Sequence, residues 1–476
     1  MKKIISLVTL LTIAQVANAI SIDWTGGYRA EYVSIDRPSL SEPKLSKAYA
    51  LNFLYLQPKI IGSDGINIYS RFDIMPSQTP AYKNSQVGSL IGGGLSDGNQ
   101  GTGFNSNSET QNSSSLQVSQ LYLNVVHENG SLLVGRTPIE FGLGITHNAG
   151  KNPFDHWIDT KEVLAYRFLV DNIAFTPMLA RVVQNDFGGG VANDQIFLFE
   201  YDNKDIGAKA GVLHQTRVAG AGNNDAYISN AVKLYPSGNS VIGGFKEQTI
   251  NLFLERKWSA FEFKIEASFL TGDTGIANAA GDEIKLNSYA VVAEALKPAQ
   301  ESKWEYGAKF GVVSGDNPDT QASYEGYQLD RNYDLGMLLF NQRMGYAGDD
   351  VIGTRPLHAN DNSNGNKLSI QNSVDDEAVS NAMFFAPSFK YLYDDKIDMK
   401  YTAVYAQAMT NANGFTNFSK DLGLELDAEL IYKPRERVIW SNSIGYFMPG
   451  SAWSAGSNNR DTKANFGFAS KAAITF

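Results

Sequence analysis

From Leu422 to Leu430 the chain alternates strictly: Leu422, Leu424, Leu426 and Leu430 fall on one parity, Glu425, Asp427 and Glu429 on the other. Successive side chains point to opposite faces of a strand, so a period of two makes one apolar and one charged face, an arrangement a helix cannot produce. Phe261, Phe263, Ile265, Ala267 and Phe269 form a second stripe, and Phe466, Phe468, Ala472, Ile474 and Phe476 a third. Such segments recur at about 20–36, 47–61, 66–75, 116–127, 132–145, 161–171, 172–184, 194–202, 205–217, 247–257, 260–271, 284–296, 304–314, 379–394, 397–410, 420–433, 437–449 and 462–476, eighteen in all.

The connections alternate in length. Short turns fall at Gly62–Gly65, Glu128–Gly130, Asp171–Asn172, Asp202–Lys204, Trp258–Ser259, Asp394–Lys396 and Pro434–Glu436; long links fall at about 76–115, 146–160, 218–246 and 315–378. Tight turns rich in Asp, Asn and Gly suit hairpins. Alternation of short and long connections is the pattern of an outer-membrane barrel, with short periplasmic turns and long extracellular loops. The expected fold is all-β: one transmembrane antiparallel β-barrel of about 18 strands (range 16–20), an even count with both termini periplasmic. A soluble sandwich would not order its loops this way, and no short repeat supports a β-helix.

The start of the chain agrees. Lys2 and Lys3, the apolar run Ile4 to Ile13 and the Ala17-Asn18-Ala19 site read as a secretory signal over residues 1–19, cleaved to leave a barrel over 20–476. The run is too short to span a bilayer, which needs roughly 20 residues. Later in the chain no apolar run approaches that length and mean hydropathy is only −0.24, compatible with a barrel because one residue in two faces lipid. Aromatic residues make up 12%, with 23 Tyr and 26 Phe, enough for a girdle at each interface. A net charge of −10 argues against nucleic acid. The expected partners are outer-membrane lipid and lipopolysaccharide, small hydrophilic solutes, and the barrel-assembly machinery, for which Phe476 is the assembly signal.

Catalysis finds no support. The five histidines form no H-E-x-x-H pair, and there is no G-x-S-x-G elbow. His147 and His156, with Asp155 and Asp159, flank one loop, but polar loop tips explain them. No cysteine is present, and no cofactor is called for. The informative charges lie within strands. The register turns Arg29, Arg71, Arg136, Arg167, Lys209, Lys264, Lys309, Lys390, Lys400 and Lys471 inward, with Glu31, Asp73, Glu140, Glu255, Glu266, Glu294, Glu305, Glu425, Asp427 and Glu429. Charge at the lipid midplane costs roughly 2–4 kcal/mol per Arg or Lys, so these residues imply a hydrated lumen. The arginines fall on early strands and acids dominate later ones, which predicts opposed walls and a channel for small hydrophilic solutes. The alternatives are a substrate-specific channel for sugar acids or oligosaccharides, and a surface adhesin or structural barrel with the loops at 76–115 and 315–378 as its binding parts. In the loop at 315–378 the apolar residues Tyr333, Leu335, Leu338 and Phe340 need something to pack on, and inward folding would narrow the pore. The polar loop at 76–115 reads as a surface loop.

Three stretches carry a family resemblance: Val134 to Gly142 (VGRTPIEFG), Asn332 to Phe340 (NYDLGMLLF), and Gly423 to Asp427 followed by Gly445 to Gly450 (GYFMPG). They resemble the alginate-export family of outer-membrane porins. The resemblance implies an eighteen-stranded barrel passing an anionic uronate polymer through an Arg/Lys-lined constriction, for which Arg29, Arg71, Arg136 and Arg167 would serve. Equal numbers of inward acids depart from that pattern.

Overall fold

The computed structural model describes residues 21–42, 44, 46–63, 65–74, 116–184, 191–219, 240–345, 377–412, 414–454 and 461–476. The signal segment, the loop at 76–115, most of 218–246 and residues 346–376 lie outside the described residues.

Eighteen long strands follow one another along the chain. They are β1 (Ser21–Ile35), β2 (Lys47–Ser63), β3 (Ile66–Ile74), β4 (Leu116–His127), β5 (Gly130–Pro138) and β6 (Thr160–Val170). Next come β7 (Ile173–Gln184), β8 (Val191–Asn203), β9 (Ala208–Ala219), β10 (Phe245–Lys257), β11 (Glu262–Ala277) and β12 (Glu283–Lys297). The last are β13 (Trp304–Val313), β14 (Ala382–Leu392), β15 (Ile397–Ala408), β16 (Asp421–Arg435), β17 (Val438–Pro449) and β18 (Asn465–Thr475). Each pairs antiparallel with its sequence neighbour, and β18 pairs with β1 from Gly27↔Thr475 to Ile35↔Gly467. The sheet therefore closes into an 18-stranded antiparallel barrel with no free edge. The seam is finished by Phe476, whose N–H donates to the Gly26 carbonyl (3.0 Å) while the Gly26 N–H donates to that of Phe476 (2.9 Å).

All eighteen expected segments are strands. The largest difference is β5, expected over 132–145 but ending at Pro138. Proline offers no N–H to continue the ladder, and Gly142 and Gly144 then take φ of +56° and +78°. The chain leaves the wall there and turns into the barrel.

The alternation separates two environments. Leu179, Leu254, Phe269, Phe310, Phe385 and Leu426 lie exposed on the outer face. On it, Trp24, Trp258, Trp304 and Trp440 lie toward the short-turn end; Tyr32, Tyr289, Tyr405 and Tyr446 lie toward the loop end. Two aromatic belts around an apolar band are what the two interfaces of a bilayer select. The apolar core lies inside the barrel. There Val33, Ile35, Val292, Val313, Phe384, Val404, Leu422 and Phe447 of the wall bury Leu335, Leu338, Leu339 and Phe340, which no strand carries. A second cluster packs Ile139 and Phe141 on Ile196, Leu198, Leu213 and Phe253.

Candidate functional site: a lumen held by two inward segments

Two links from the loop end fold into the lumen, and a wall carboxyl receives each. Residues 139–159 turn across Glu266 of β11, whose carboxyl is fully buried. It accepts the Leu143 N–H at 2.6 Å and the Thr146 hydroxyl at 3.2 Å. A Cβ at Gly142 would stand 2.5 Å from the Glu266 Oε2, so glycine is required there by space as well as by its positive φ. His147 continues the docking: its ring nitrogens meet Thr146 Oγ1 (3.2 Å) and Gln215 Oε1 (3.3 Å). Behind it Lys161 Nζ donates to Asp194 Oδ2 (2.5 Å) and Gln215 Oε1 (2.8 Å), and Arg217 grips both oxygens of Asp194 at 2.8 and 2.9 Å. Burial, with the charges of Lys161 and Arg217, pushes the His147 imidazole down to about 3, so it sits neutral.

The second segment, around 332–340, rests on β16. The N–H groups of Leu338 and Leu339 donate to the two oxygens of Glu425 at 2.7 and 2.6 Å, and that of Met337 to Asp427 Oδ2 at 3.1 Å. Gly336 makes this approach possible, since a Cβ there would lie 2.9 Å from Asp427 Oδ2 and 3.0 Å from the Glu425 carboxyl carbon. A buried N–H without an acceptor costs about 1–3 kcal/mol, so a carboxyl facing consecutive amides fixes where the leucines enter the core.

The two segments also grip each other. The Asn332 side chain accepts the N–H groups of His156 and Trp157 (3.2 and 3.1 Å) and donates to the Trp157 carbonyl (2.8 Å). The Asp330 N–H donates to the Ile145 carbonyl at 2.8 Å, and Arg331 lies 4.5 Å over the Trp157 ring. Asp159 and Asp330 hydrogen-bond through their carboxyls. Burial pushes Asp159 up to about 6; burial and then the Asp159 charge hold Asp330 well above the usual range. Burial likewise raises Asp155 to about 7 and Asp334 to about 6. Arg29 and Glu31 of β1 close the joint on the wall. The Arg29 guanidinium donates to the carbonyls of Pro153 (3.3 Å) and Asp155, and its Nε lies 2.8 Å from Glu31. His156 Nε2 lies 3.0 Å from Glu31 Oε1.

The strand register places eighteen of the twenty expected inward charges on the inner face; the other two are corrected. Arg136 is on the outer face, opposite Leu121 and Glu162 and in step with exposed Val134 and Leu164. Gly135, at φ +119°, lies in the short β5, which turns residues 132, 134 and 136 outward. Glu140 is not on a strand but in the inward segment, paired with Lys151. Of the inward set, Arg29 and Arg71 are buried against Glu31 and Asp73 and over Phe53 and Tyr55, and so face no open lumen. Glu266 and Glu425 are covered by the segments they hold, as Asp427 largely is. The expected acidic wall is thus mostly occupied.

The charges that stay half-exposed lie toward the short-turn end or along β13–β18. They include Arg167 with Glu200 (2.6 Å), Lys209 with Asp202 (3.5 Å), Lys264 with Glu262 (2.8 Å) and Lys390, which lies 3.5 Å from buried Asp398. Glu255 is mostly covered beside Lys257, and Glu429 accepts the Ser441 hydroxyl at 2.5 Å. Lys309 lies 3.4 Å from Glu294 and 4.4 Å over the Tyr333 ring, and it donates to the Asp334 carbonyl at 3.0 Å. Lys400 stands opposite Lys390 across the β14–β15 pair, and with Lys309 and Lys471 it favours the charged form of Asp334. Asp330 was missed from sequence, and Asn332 and Gly336 were marked only as members of the resembling stretch. Nothing local marks their docking roles, because each acts through a partner distant in the chain.

Solved structures resemble this chain in outline. OccK2 (OpdF) of Pseudomonas aeruginosa, solved in complex with glucuronate, aligns with 95% of the chain and 98% of its own at 12% identity and a TM-score of 0.49. OccK9 (OpdG) of the same organism aligns over 96% and 99% at 11% identity, and OccAB3 of Acinetobacter baumannii over 96% and 99% at 9%, both with a TM-score of 0.49. No protein-family model and no curated protein sequence matches the chain.

Proposed function

We propose that this barrel sits in a bacterial outer membrane as a channel for small hydrophilic solutes, with a preference for anions such as sugar acids. The carrying observation is the division of the wall: an apolar, aromatic-belted outer face around an inner face bearing ion pairs and lysines. A closed barrel of eighteen strands encloses more volume than its own wall side chains fill. Here two inward segments occupy part of that space and set the electrostatics of the rest. They bury Glu266 and Glu425 and leave Lys309, Lys390, Lys400 and Lys471 lining β13–β18. Cationic side chains in a low-dielectric passage raise the local anion concentration and discriminate by charge. The alginate-export resemblance points to the same sign of charge, but two segments docked across the lumen favour small solutes over a long polymer. His147 and His156 serve to position the segments.

Single-channel recording in a planar bilayer tests the reading. Stepwise conductance is expected, with a reversal potential on the anion-selective side at low salt, where screening is weak. Replacing Lys309, Lys400 and Lys471 together with Gln should move that potential toward cations. A sealed barrel would end the channel reading, and an unmoved potential would end the anion preference.

A further inference from the structure

Among the described residues, outward-facing charge at the loop end of the barrel lies mostly on β5–β12. A row of Lys246, Asp273, Lys285 and Glu283 crosses β10–β12, and another crosses the three adjacent strands β5–β7. Arg136 lies opposite Glu162, and Glu162 opposite Arg181. Next in the row, Asn193 and Gln195 face outward from β8, opposite Arg181 and Leu179. Arg136 Nε lies 2.7 Å from Glu162 Oε1, and its Nη1 donates to the Val118 carbonyl at 2.9 Å; Arg181 Nε reaches Asn193 Oδ1 at 3.5 Å. The row borders an open depression of about 530 Å³ floored by Val134, Leu164 and Leu179. All these residues lie near the β5–β6 and β7–β8 links, so the row marks the upper edge of the apolar band.

We infer that the Arg136–Glu162–Arg181 row, with the apolar depression beneath it, is a binding site for a phosphate-bearing glycolipid of the outer leaflet. Three observations support it. Two guanidiniums, Arg136 and Arg181, stand in one outward row at the depth where the outer leaflet carries anionic headgroups. Guanidinium groups meet phosphate in a forked, two-bond geometry. The chemistry also changes in the right direction with depth: charge above, then exposed Val134, Leu164 and Leu179 where acyl chains lie. A charged row on a lipid-facing wall is tolerated near the interface and not at the midplane, and a lipid phosphate turns that tolerance into attraction. The site is separate from the lumen, since its side chains have the opposite parity to Lys161, Asp194 and Arg217.

The test uses the full barrel refolded in detergent and titrated with diphosphorylated lipid A, with its dephosphorylated form, and with inorganic phosphate, bound lipid being read by native mass spectrometry. Lipid A should bind at least tenfold more tightly than its dephosphorylated form. Arg136→Gln with Arg181→Gln should weaken lipid A binding by roughly tenfold per arginine. Heat-modifiable migration checks that the variants fold, and Arg181→Gln alone serves if the double variant does not. Glu162→Gln, which removes the competing carboxylate, should hold or tighten binding. Equal binding of both lipid forms, equal binding by parent and arginine variants, or a response to inorganic phosphate alone would each overturn the proposal.

Discussion

Replacing Glu425 by Ala isolates the contact on which the second inward segment depends. The carboxyl accepts the Leu338 and Leu339 amides at 2.7 and 2.6 Å in a fully buried setting. Truncation leaves two buried N–H groups without acceptors, at about 1–3 kcal/mol each, so the segment loses about 2–6 kcal/mol of docking free energy. The apolar contacts of Leu338, Leu339 and Phe340 remain and contribute about 1.5–3 kcal/mol per side chain, so detachment should be partial. The barrel itself, closed by main-chain ladders, should keep its heat-modifiable migration. Hydrogen exchange gives the direct readout: a loss of about 3 kcal/mol corresponds to roughly a hundredfold faster exchange at the Leu338 and Leu339 amides. In a planar bilayer the same variant should show higher mean conductance and more open-channel noise. Unchanged exchange across 333–345 in a folded Glu425→Ala barrel would refute the anchoring role, whatever the conductance did. Glu425→Arg, which an inward position alone would tolerate, is expected to be worse than Ala, because it sets a cation against two N–H donors.

Other consequences follow from the same geometry. Ala428→Arg puts charge on the outer face midway between the Tyr446 and Trp440 belts, at a cost of roughly 2–4 kcal/mol near the midplane, so it should reduce assembly into lipid vesicles, measured by protease protection, while Leu424→Arg, opposite Tyr405 in the loop-end belt, should cost only about 0–1 kcal/mol. Deleting Phe476 removes both of its bonds to Gly26 and the aromatic end of β18, and should lower the yield of heat-modifiable barrel while export continues. The joint between the inward segments should loosen with rising pH. Asp159 and Asp155 have raised values in the folded state, so the stability they lend is complete below the ordinary value of 3.8 and is lost as pH rises through about 6 and about 7 respectively, and Asp330 is raised in the same direction. Mean conductance should therefore climb between about pH 4 and 7, and Asp159→Asn with Asp330→Asn should flatten that profile.

The wall was legible from sequence because a barrel strand reports itself locally. Its period of two is imposed by lipid on one side and water on the other, and Leu424 to Leu430 carries both signals; Leu422, expected on the same apolar outer face, is instead turned inward by the irregularity at Gly423 (φ +106°). The short turns were legible for the same reason. Parity alone misplaced Arg136, since the expected strand over 132–145 ran past Pro138, where the chain leaves the sheet, and the short β5 turns that arginine outward. The docking of the second inward segment was only half legible. Its apolar residues announced a need for burial, yet no rule of spacing connects Leu338 to Glu425, nor Asn332 to Trp157. Such contacts are set by where the chain goes after it leaves a strand.

The role of the lumen carboxyls turns on this difference. Counted along the sequence, inward acids and bases balance, and acids gather on the later strands. In the folded barrel a carboxyl facing backbone N–H groups is bound to the segment that covers it and no longer meets a passing solute. Glu266 and Glu425 are withdrawn in this way, and Asp427 largely so, while Lys309, Lys390 and Lys471 stay partly open on β13–β18. The field a solute meets is thus governed less by the composition of the wall than by which of its charges the inward segments consume. A segment held by acids makes the remaining passage more basic, so loosening it should return negative charge to the lumen as well as widen it. Glu425→Ala returns less of that charge, since it can uncover only Asp427; raising the pH on the parent barrel can return both carboxylates. The two perturbations should therefore raise conductance alike and separate in reversal potential, with the pH change shifting it further toward cations.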